Sequence, residues 1–188
     1  MTTPINNHTD ASSKPDNSTT PLFTTNYNVY INHTDAGGIV YHANHLVFFE
    51  NCRRDWFTHL GLNGYFLQSD HGDIQHFVVS QADLHYKKAI LLDEVINVRI
   101  DKVELKPASM IFYQSIHRHL PDNNATSKAN DSLLSRAKIV IACVQNQVKP
   151  DPVSRDENAA YNAPMRPIRV PRALHDAIQN AITQQTHK

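Results

Sequence analysis

The chain has 188 residues, the length of one domain with short extensions rather than of two full domains. Lysine plus arginine equals aspartate plus glutamate at 18 each, so net charge gives no reason to expect nucleic acid or an anionic membrane as a partner. The chain also has only two cysteines and no apolar run long enough for a transmembrane segment, and because its N-terminal residues lack a basic region followed by an apolar core we expect no secretory leader. We therefore expect a soluble cytoplasmic protein without a disulfide framework.

The N-terminal part combines a polar tail with a first strand. Residues 1–21 are rich in Thr, Asn, Ser, Asp and Pro, and we predict that they form a disordered tail. The loose alternation in Leu22–Ile31 predicts a strand. The turn that follows contains Gly37 and Gly38, which adopt backbone angles that other residues disfavour.

One long amphipathic helix is predicted from about His42 to Leu60. At about 100° per residue its apolar side chains form one broad stripe, which consists of Leu46, Phe49, Cys52, Trp56, Phe57 and Leu60. Arg53 lies within this stripe, which we explain by a pairing with Glu50 or by a snorkelling head group. Phe48 lies opposite the stripe, which indicates that another part of the chain or a second subunit covers that side.

After a polar connection over residues 61–73 the apolar pattern changes to a period of two. Four long strands are predicted at Ile74–Tyr86, Val95–Leu105, Met110–His117 and Leu134–Val144. In the first of them Phe77 is expected on one face and Leu84 on the other. A polar loop is predicted over 121–131, and a short helix is predicted over Arg172–Ile182.

Consecutive strands without intervening helices favour an antiparallel sheet. Since one long helix cannot cover both faces of such a sheet, we expect a curved sheet wrapped around the helix, with its open edges or its back face closed by a second copy. The predicted fold class is therefore α+β, with an antiparallel sheet of about five strands around one central helix.

The stretch from Asp35 to His42 suits a particular chemistry. A carboxylate enters the glycine turn and an imidazole leaves it seven positions later, where the helix is predicted to begin. Both lie beside the unpaired amides and the positive dipole end of that helix, which favour negative charge on a carbonyl oxygen. Two structural explanations stay open: an Asp in such a turn commonly bonds its own backbone, and a lone His at a helix start is commonly a cap.

The stretch Thr34-Asp35-Ala36-Gly37-Gly38-Ile39-Val40-Tyr41-His42-Ala43-Asn44, followed by Phe48, Glu50 and Arg53, resembles the hotdog fold. It is similar to the thioesterase branch that includes 4-hydroxybenzoyl-CoA thioesterase and the Tol–Pal-associated acyl-CoA thioesterases of the YbgC type. A second block, from Phe77-Val78-Val79 to Leu92-Asp93, adds weaker support. The resemblance covers most of residues 24–176, and we predict a hotdog domain over 22–176, followed by a helix end and tail over 177–188.

The resemblance implies that Asp35 is the catalytic carboxylate, acting as general base or nucleophile, and that His42 is an active-site residue. It also implies an oxyanion site at the N-terminus of the central helix, with Gly38, Tyr41 and Ala43 contacting the substrate. This chain differs from its relatives at positions 31–33 and 87–89, where it has Ile-Asn-His and Lys-Lys-Ala. These differences bear on the acyl group more than on the reaction.

The implied substrate is an acyl-CoA or acyl-carrier-protein thioester. Phosphates of CoA require cations near the site entrance, and Lys87 and Lys106 are the candidates, together with Lys88, Arg53 and residues 166–172. No cofactor is expected. No metal is expected either, because His42 and His45 have no third ligand at a supporting spacing.

Three functions are compatible with the sequence. The first is thioester hydrolysis by a homodimer or homotetramer. The second is a hotdog acyl-thioester hydratase or dehydratase, which leaves the thioester intact. The third is a non-catalytic protein that binds acyl carriers or partners at the cell envelope.

Overall fold

The computed structural model describes residues 20–62, 67–68, 74–119, 132–146 and 165–186. Nearly all of the predicted N-terminal tail, most of the connection over 61–73 and the whole predicted loop over 121–131 lie outside the described residues.

Five long strands and two α-helices make up most of the described chain, as the periodic patterns predict. Two further strands, of two and three residues, are too short to show a period. In chain order the elements are β1 (Phe23–Asn28), a 3₁₀ turn (Ile31–His33), α1 (Asn44–His59), β2 (Leu67–Gln68), β3 (Ile74–Tyr86), β4 (Val95–Lys106), β5 (Ser109–Arg118), β6 (Leu133–Asn146), β7 (Met165–Pro167) and α2 (Arg172–Thr186).

All strand pairs of the sheet are antiparallel. The strand order is β1-β4-β5-β6-β3-β2, and β7 pairs with β6. The predicted α+β class, with an antiparallel sheet and one long helix packed on it, is confirmed. The sheet has seven strands rather than about five, because β2 and β7 extend it.

A β-bulge at Ser80 changes the alternation of side chains along β3. Before the bulge, Phe77 lies opposite Cys143 of β6, and after it Leu84 lies opposite Ala137. Cys143 and Ala137 are both buried in the core, so Phe77 and Leu84 share the core-facing side. The prediction that these two side chains lie on opposite faces is wrong, because the extra residue of the bulge shifts the alternation by one.

The apolar stripe of α1 packs into the core as predicted. Its central members Phe49, Cys52, Trp56 and Phe57 are buried, and Leu60 is half-buried against them. Leu46, in the first turn, is the exception and is 37% exposed.

Phe48, on the other side of α1, is also buried, as predicted. Its ring lies 5.9 Å from that of Tyr27 on β1 and 4.9 Å from that of His33 in the 3₁₀ turn. Another part of the same chain therefore covers this side of the helix.

Arg53 is only 2% exposed, and both explanations offered for it from the sequence are wrong. Its Nη1 donates to Oε1 of Gln114 on β5 at 2.7 Å, whereas Glu50 is exposed. Gln114 Nε2 in turn donates to the C=O of Phe49 at 3.1 Å. The guanidinium also lies over the Phe112 ring, 5.8 Å from its centroid. The buried charge therefore links the helix to the sheet through a glutamine.

α2 closes the described part of the chain. It begins at Arg172, as predicted, but extends to Thr186, four residues past the predicted end. Leu174 and Ile178 are buried in the main core, so the helix is part of the packed fold. Across the described ranges, no helix is both long enough and apolar enough to cross a membrane.

Candidate active site

The connection between the 3₁₀ turn and α1 is a tight hairpin-like loop. Thr34 and Val40 form an isolated antiparallel bridge, and the N–H of Asp35 donates to the C=O of Ile39 at 2.9 Å. Gly38 lies at φ +73°, in the left-handed region that glycine adopts without strain. The loop therefore presents Asp35 at one edge of a compact turn.

The side chain of Asp35 is exposed on this turn. Its Oδ1 accepts a hydrogen bond from the N–H of Gly37 at 2.8 Å, the bond that an Asp in such a turn commonly makes. A Cβ at Gly37 would lie 3.1 Å from Oδ1, so a side chain there would crowd the carboxylate. Among the described residues, Oδ2 accepts no hydrogen bond. One oxygen thus fixes the carboxylate in place and the other faces solvent, where it is accessible to a substrate or a water.

One carbonyl group at the start of the loop accepts two hydrogen bonds from residues at its end. The C=O of His33 accepts the N–H of Tyr41 at 2.9 Å and the side-chain Nδ2 of Asn44 at 2.8 Å. The N–H of Val40 donates to the C=O of Ile90 at 2.8 Å, which fixes the loop to a neighbouring segment. Asp35 and the start of α1 therefore keep a fixed relative position.

α1 begins at Asn44, two residues later than predicted, with Ala43 as its N-cap. His42 therefore precedes the helix. It is exposed, and its ring lies 4.3 Å from the ring of Tyr41, which is also exposed. No side chain caps the helix and its first turn has no acidic residue, so the positive end of the helix dipole is not neutralised locally.

This helix start has free backbone donors. Among the described residues, the amides of His42, Ala43 and His45 donate to no acceptor. The amides of Gly38 and Tyr41 are already bonded within the loop. Of the three positions predicted to contact the substrate, Ala43 is therefore the one with a free amide, Tyr41 offers its exposed ring, and Gly38 shapes the turn.

Three residues that the sequence did not single out for the site form a chain of contacts that ends at the start of α1. The hydroxyl of Tyr86, at the end of β3, donates to the C=O of His42 at 3.0 Å. The ring of His45 lies edge-on to the Tyr86 ring, with centroids 5.0 Å apart. His45 Nδ1 is 3.0 Å from Ser135 Oγ, and both residues are buried. These contacts join residues 41 to 90 positions apart, which no local pattern reveals.

The buried His45 predicts a loss of stability in mild acid. Burial, with a smaller contribution from His42, lowers the pKa of His45 to about 4. The unfolded histidine, with a pKa near 6.5, binds its proton first as the pH falls, so acid favours unfolding. We expect the free energy of unfolding to decrease by about 3 kcal/mol through this residue between pH 7.5 and pH 4.

Denaturant unfolding at a series of pH values measures this effect. In a His45→Leu variant, the decrease between pH 7.5 and pH 4 should be smaller by that amount, whereas His119→Gln, at an exposed position, should decrease as the wild type does. Equal pH dependence in the His45→Leu variant and the wild type would contradict the prediction.

The structure does not bring the two predicted lysines together. Lys87 directly follows Tyr86, whose hydroxyl contacts the start of α1. Val98 of β4 lies level with Tyr86 across the sheet, through Ser135 and Ile116. Lys106 is eight residues further along β4, roughly 26 Å away at about 3.3 Å per residue. It is 3.6 Å from a carboxylate oxygen of Glu104. Of the two predicted lysines, only Lys87 adjoins a residue that contacts the start of α1.

Lys88 is exposed and adjoins Lys87, whereas the other cationic candidates are distant or inaccessible. Arg53 is buried and has no access to a phosphate. The segment 166–172 begins in β7, which pairs with β6 at Val144–Asn146, some ten residues along β6 from Ser135. In the part of the chain that the structure describes, no group of three or more His, Cys, Asp or Glu side chains is placed to hold a metal ion.

Comparison with known proteins gives consistent matches. The model of the family described as the thioesterase-like superfamily matches residues 29–181. The acyl-CoA thioesterase YbgC of Haemophilus influenzae is 32% identical over 135 residues, which cover 71% of this chain and 90% of that protein. The acyl-CoA thioester hydrolase YbgC of Escherichia coli O6:H1 is 28% identical over 125 residues, which cover 66% of this chain and 84% of that protein.

Solved structures share the architecture. The 4-hydroxybenzoyl CoA thioesterase from Pseudomonas sp. strain CBS-3 superposes with a TM-score of 0.57 at 16% sequence identity. The match covers 84% of this chain and 96% of that one. At this identity the likeness shows a common fold.

Proposed function

This chain belongs to the thioesterase-like superfamily, and from that membership we propose that it hydrolyses acyl-CoA thioesters to a free acid and a thiol. The predicted hotdog fold is confirmed, as is the predicted likeness to the YbgC thioesterases. The observation that supports the mechanism is the loop that fixes an exposed Asp35 carboxylate and is tied by the C=O of His33 to Asn44, the first residue of the uncapped α1.

Thioester hydrolysis is well matched to a carboxylate without a strong general acid. The leaving thiol has a pKa near 8.5, so it departs without much assistance, and attack on the carbonyl carbon is the harder step. In our proposal the free oxygen of Asp35 either removes a proton from the attacking water or attacks the carbonyl carbon itself. The attack by Asp35 gives a mixed anhydride that water then cleaves. Both routes consume one water and yield one acid and one thiol.

The developing oxyanion needs donors on the other side of the carbonyl group. The free amide of Ala43, with that of His42 beside it, is oriented by the start of α1 and benefits from the helix dipole. Loss of one such donor typically reduces the rate by about a hundredfold or more. We therefore assign the oxyanion site to these amides and assign the exposed rings of Tyr41 and His42 to substrate contact.

The cysteines do not compete for the role of nucleophile. Burial, with a smaller contribution from Asp55, raises the pKa of Cys52 to about 12, and burial raises that of Cys143 to about 12. Neither thiol is ionised near neutral pH, and neither reaches the surface. This supports Asp35 as the reacting group.

Thiol release from a panel of acyl-CoA esters, detected with a thiol-reactive dye, tests the proposal. We expect turnover with at least one short-chain, long-chain or aromatic ester. An enoyl-CoA ester distinguishes the hydratase alternative, because loss of its ultraviolet absorbance without thiol release would show addition of water with the thioester intact. Saturable binding without either reaction would favour the non-catalytic alternative.

The edge of the sheet supports an oligomer. β3 pairs with β6 on one side, and on the other the described residues pair it only at Ile74–Gln75, through β2. The rest of β3 is a long edge that exposes Val79 at 54% and Tyr86 at 50%. An antiparallel pairing of this edge with a second copy would cover both residues, so we assign the subunit contact to β3.

This assignment predicts that charge on the β3 edge separates the subunits. A Val79→Lys variant should shift the mass measured by light scattering toward that of a monomer, because a buried ammonium group at the contact is unfavourable. A Met165→Lys variant, also at a 54% exposed apolar position but on β7, should keep the wild-type mass. An unchanged mass for the Val79→Lys variant would exclude the β3 edge as the subunit contact.

Several finer features remain predictions. A homodimer and a homotetramer are both compatible with the β3 contact, and Lys106 would reach a CoA phosphate only from another subunit. We place the protein in the cytoplasm on the basis of its two buried thiols. The link to the Tol–Pal system is implied by the sequence resemblance alone.

A further inference from the structure

The C=O of His42 is in an unusual position at the start of α1. His42 precedes the N-cap Ala43, so its C=O accepts no N–H from the helix, and the first helical acceptor is the C=O of Ala43, bonded by the N–H of Leu46 at 3.0 Å. The hydroxyl of Tyr86 instead donates to the C=O of His42 at 3.0 Å. A side chain from the sheet therefore binds the carbonyl group of the residue before the N-cap.

The hydrogen bond from Tyr86 to the C=O of His42 fixes the direction of the Ala43 N–H. The peptide between His42 and Ala43 is trans, as are all peptide bonds of the described chain, so its C=O and N–H point in opposite directions. When Tyr86 holds the C=O on one side, the N–H of Ala43 is directed to the other. This is the amide that has no acceptor among the described residues.

The Tyr86 ring needs support because Tyr86 is half exposed and the hydrogen bond is at the tip of its side chain. His45 provides it through the edge-on contact of the two rings, with centroids 5.0 Å apart. His45 is itself held by the bond between its Nδ1 and Ser135 Oγ, in the buried interface between α1 and β6. The order of support thus runs from Ser135 through His45 and Tyr86 to the peptide at the start of α1.

We propose that Tyr86, braced by the His45–Ser135 pair, is a positioning residue that aims the Ala43 amide at the substrate carbonyl oxygen. The proposal rests on the thioesterase function inferred above and adds the group that orients its oxyanion donor. Tyr86 does not touch the reacting atoms; it acts through the His42–Ala43 peptide.

Kinetics of a Tyr86→Phe variant test the proposal, because this change removes the hydroxyl and keeps the ring against His45. We expect kcat for the best acyl-CoA ester to fall about tenfold, with KM within about twofold of the wild-type value. An orientation that matters only in the transition state changes kcat and leaves ground-state binding intact. The melting temperature and the elution volume should match those of the wild type.

Tyr113→Phe is the matched control. Tyr113 on β5 pairs with Lys102 of β4, whose ammonium lies 5.4 Å from the ring centroid, so removal of its hydroxyl is the same chemical change away from the start of α1. Its kcat should equal that of the wild type.

A second substitution tests the bracing. His45→Leu should also lower kcat, and the Tyr86→Phe/His45→Leu double variant should lose no more than the worse of the two single variants, because both act on one peptide. Independent, multiplying losses would show that His45 does not act through Tyr86.

The outcomes separate this proposal from the underlying function. If the wild type releases thiol and Tyr86→Phe keeps its kcat, loses only in KM, or loses no more than Tyr113→Phe, the positioning role is wrong and the thioesterase function stands. If the wild type releases no thiol from any ester, the function fails and the positioning role fails with it.

Discussion

An Asp35→Asn variant is expected to lose about a thousandfold in kcat for acyl-CoA hydrolysis. The amide neither accepts a proton from water nor forms an anhydride, so both proposed routes are blocked. The turn should survive, because the amide oxygen still accepts the hydrogen bond that the Gly37 N–H makes to Oδ1. KM should stay within about threefold of the wild-type value. Steady-state thiol release and circular dichroism on the same preparation measure both expectations.

An exposed carboxylate elsewhere provides the control. Asp176→Asn on α2 removes the same charge from a residue far along the chain and should leave kcat unchanged. An Asp35→Asn protein with correct circular dichroism and a wild-type kcat would remove Asp35 from the mechanism.

An Arg53→Met variant is expected to lose about 3 kcal/mol in the free energy of unfolding. The substitution leaves Gln114 without its charged donor at a position only 1% exposed. It also removes the cation from the Phe112 ring. The expected loss is large because a buried polar group without its partner cannot recover a hydrogen bond from water.

A double-mutant cycle isolates this contact. Gln114→Leu alone should cost a similar amount, and the double variant should lose clearly less than the sum of the two single losses, because both changes remove the same hydrogen bond. Lys102→Met, which breaks an exposed ion pair with Glu104, should cost less than about 1 kcal/mol. Additive losses from Arg53 and Gln114 in chemical denaturation would show that the two side chains are not energetically coupled.

Local pattern was sufficient for most of the fold. The five long strands, both helices and the burial of Phe48 follow from the spacing of apolar side chains. Which side chains of β3 face the core could not be predicted in the same way, because a bulge at Ser80 inserts one residue that periodicity does not detect. Arg53 was identified as anomalous from its place in the helix stripe, but its partner lies 61 residues away on another strand.

The same division applies to the candidate site. The loop that holds Asp35 is local, so the motif located it, and the C=O of His33 ties that loop to Tyr41 and Asn44 at the start of α1. The support for that helix start comes from Tyr86 and Ser135, on β3 and β6. Which amides are free, and which are already bonded, is decided by such tertiary contacts and was beyond the reach of the sequence.

A crystal structure of the Asp35→Asn variant with an uncleaved acyl-CoA ester tests the central claim most directly. The account predicts the thioester oxygen about 3 Å from the Ala43 N–H, with the side chain at position 35 on the opposite face of the carbonyl carbon. A thioester bound away from the start of α1, or with its carbonyl oxygen facing position 35, would contradict it.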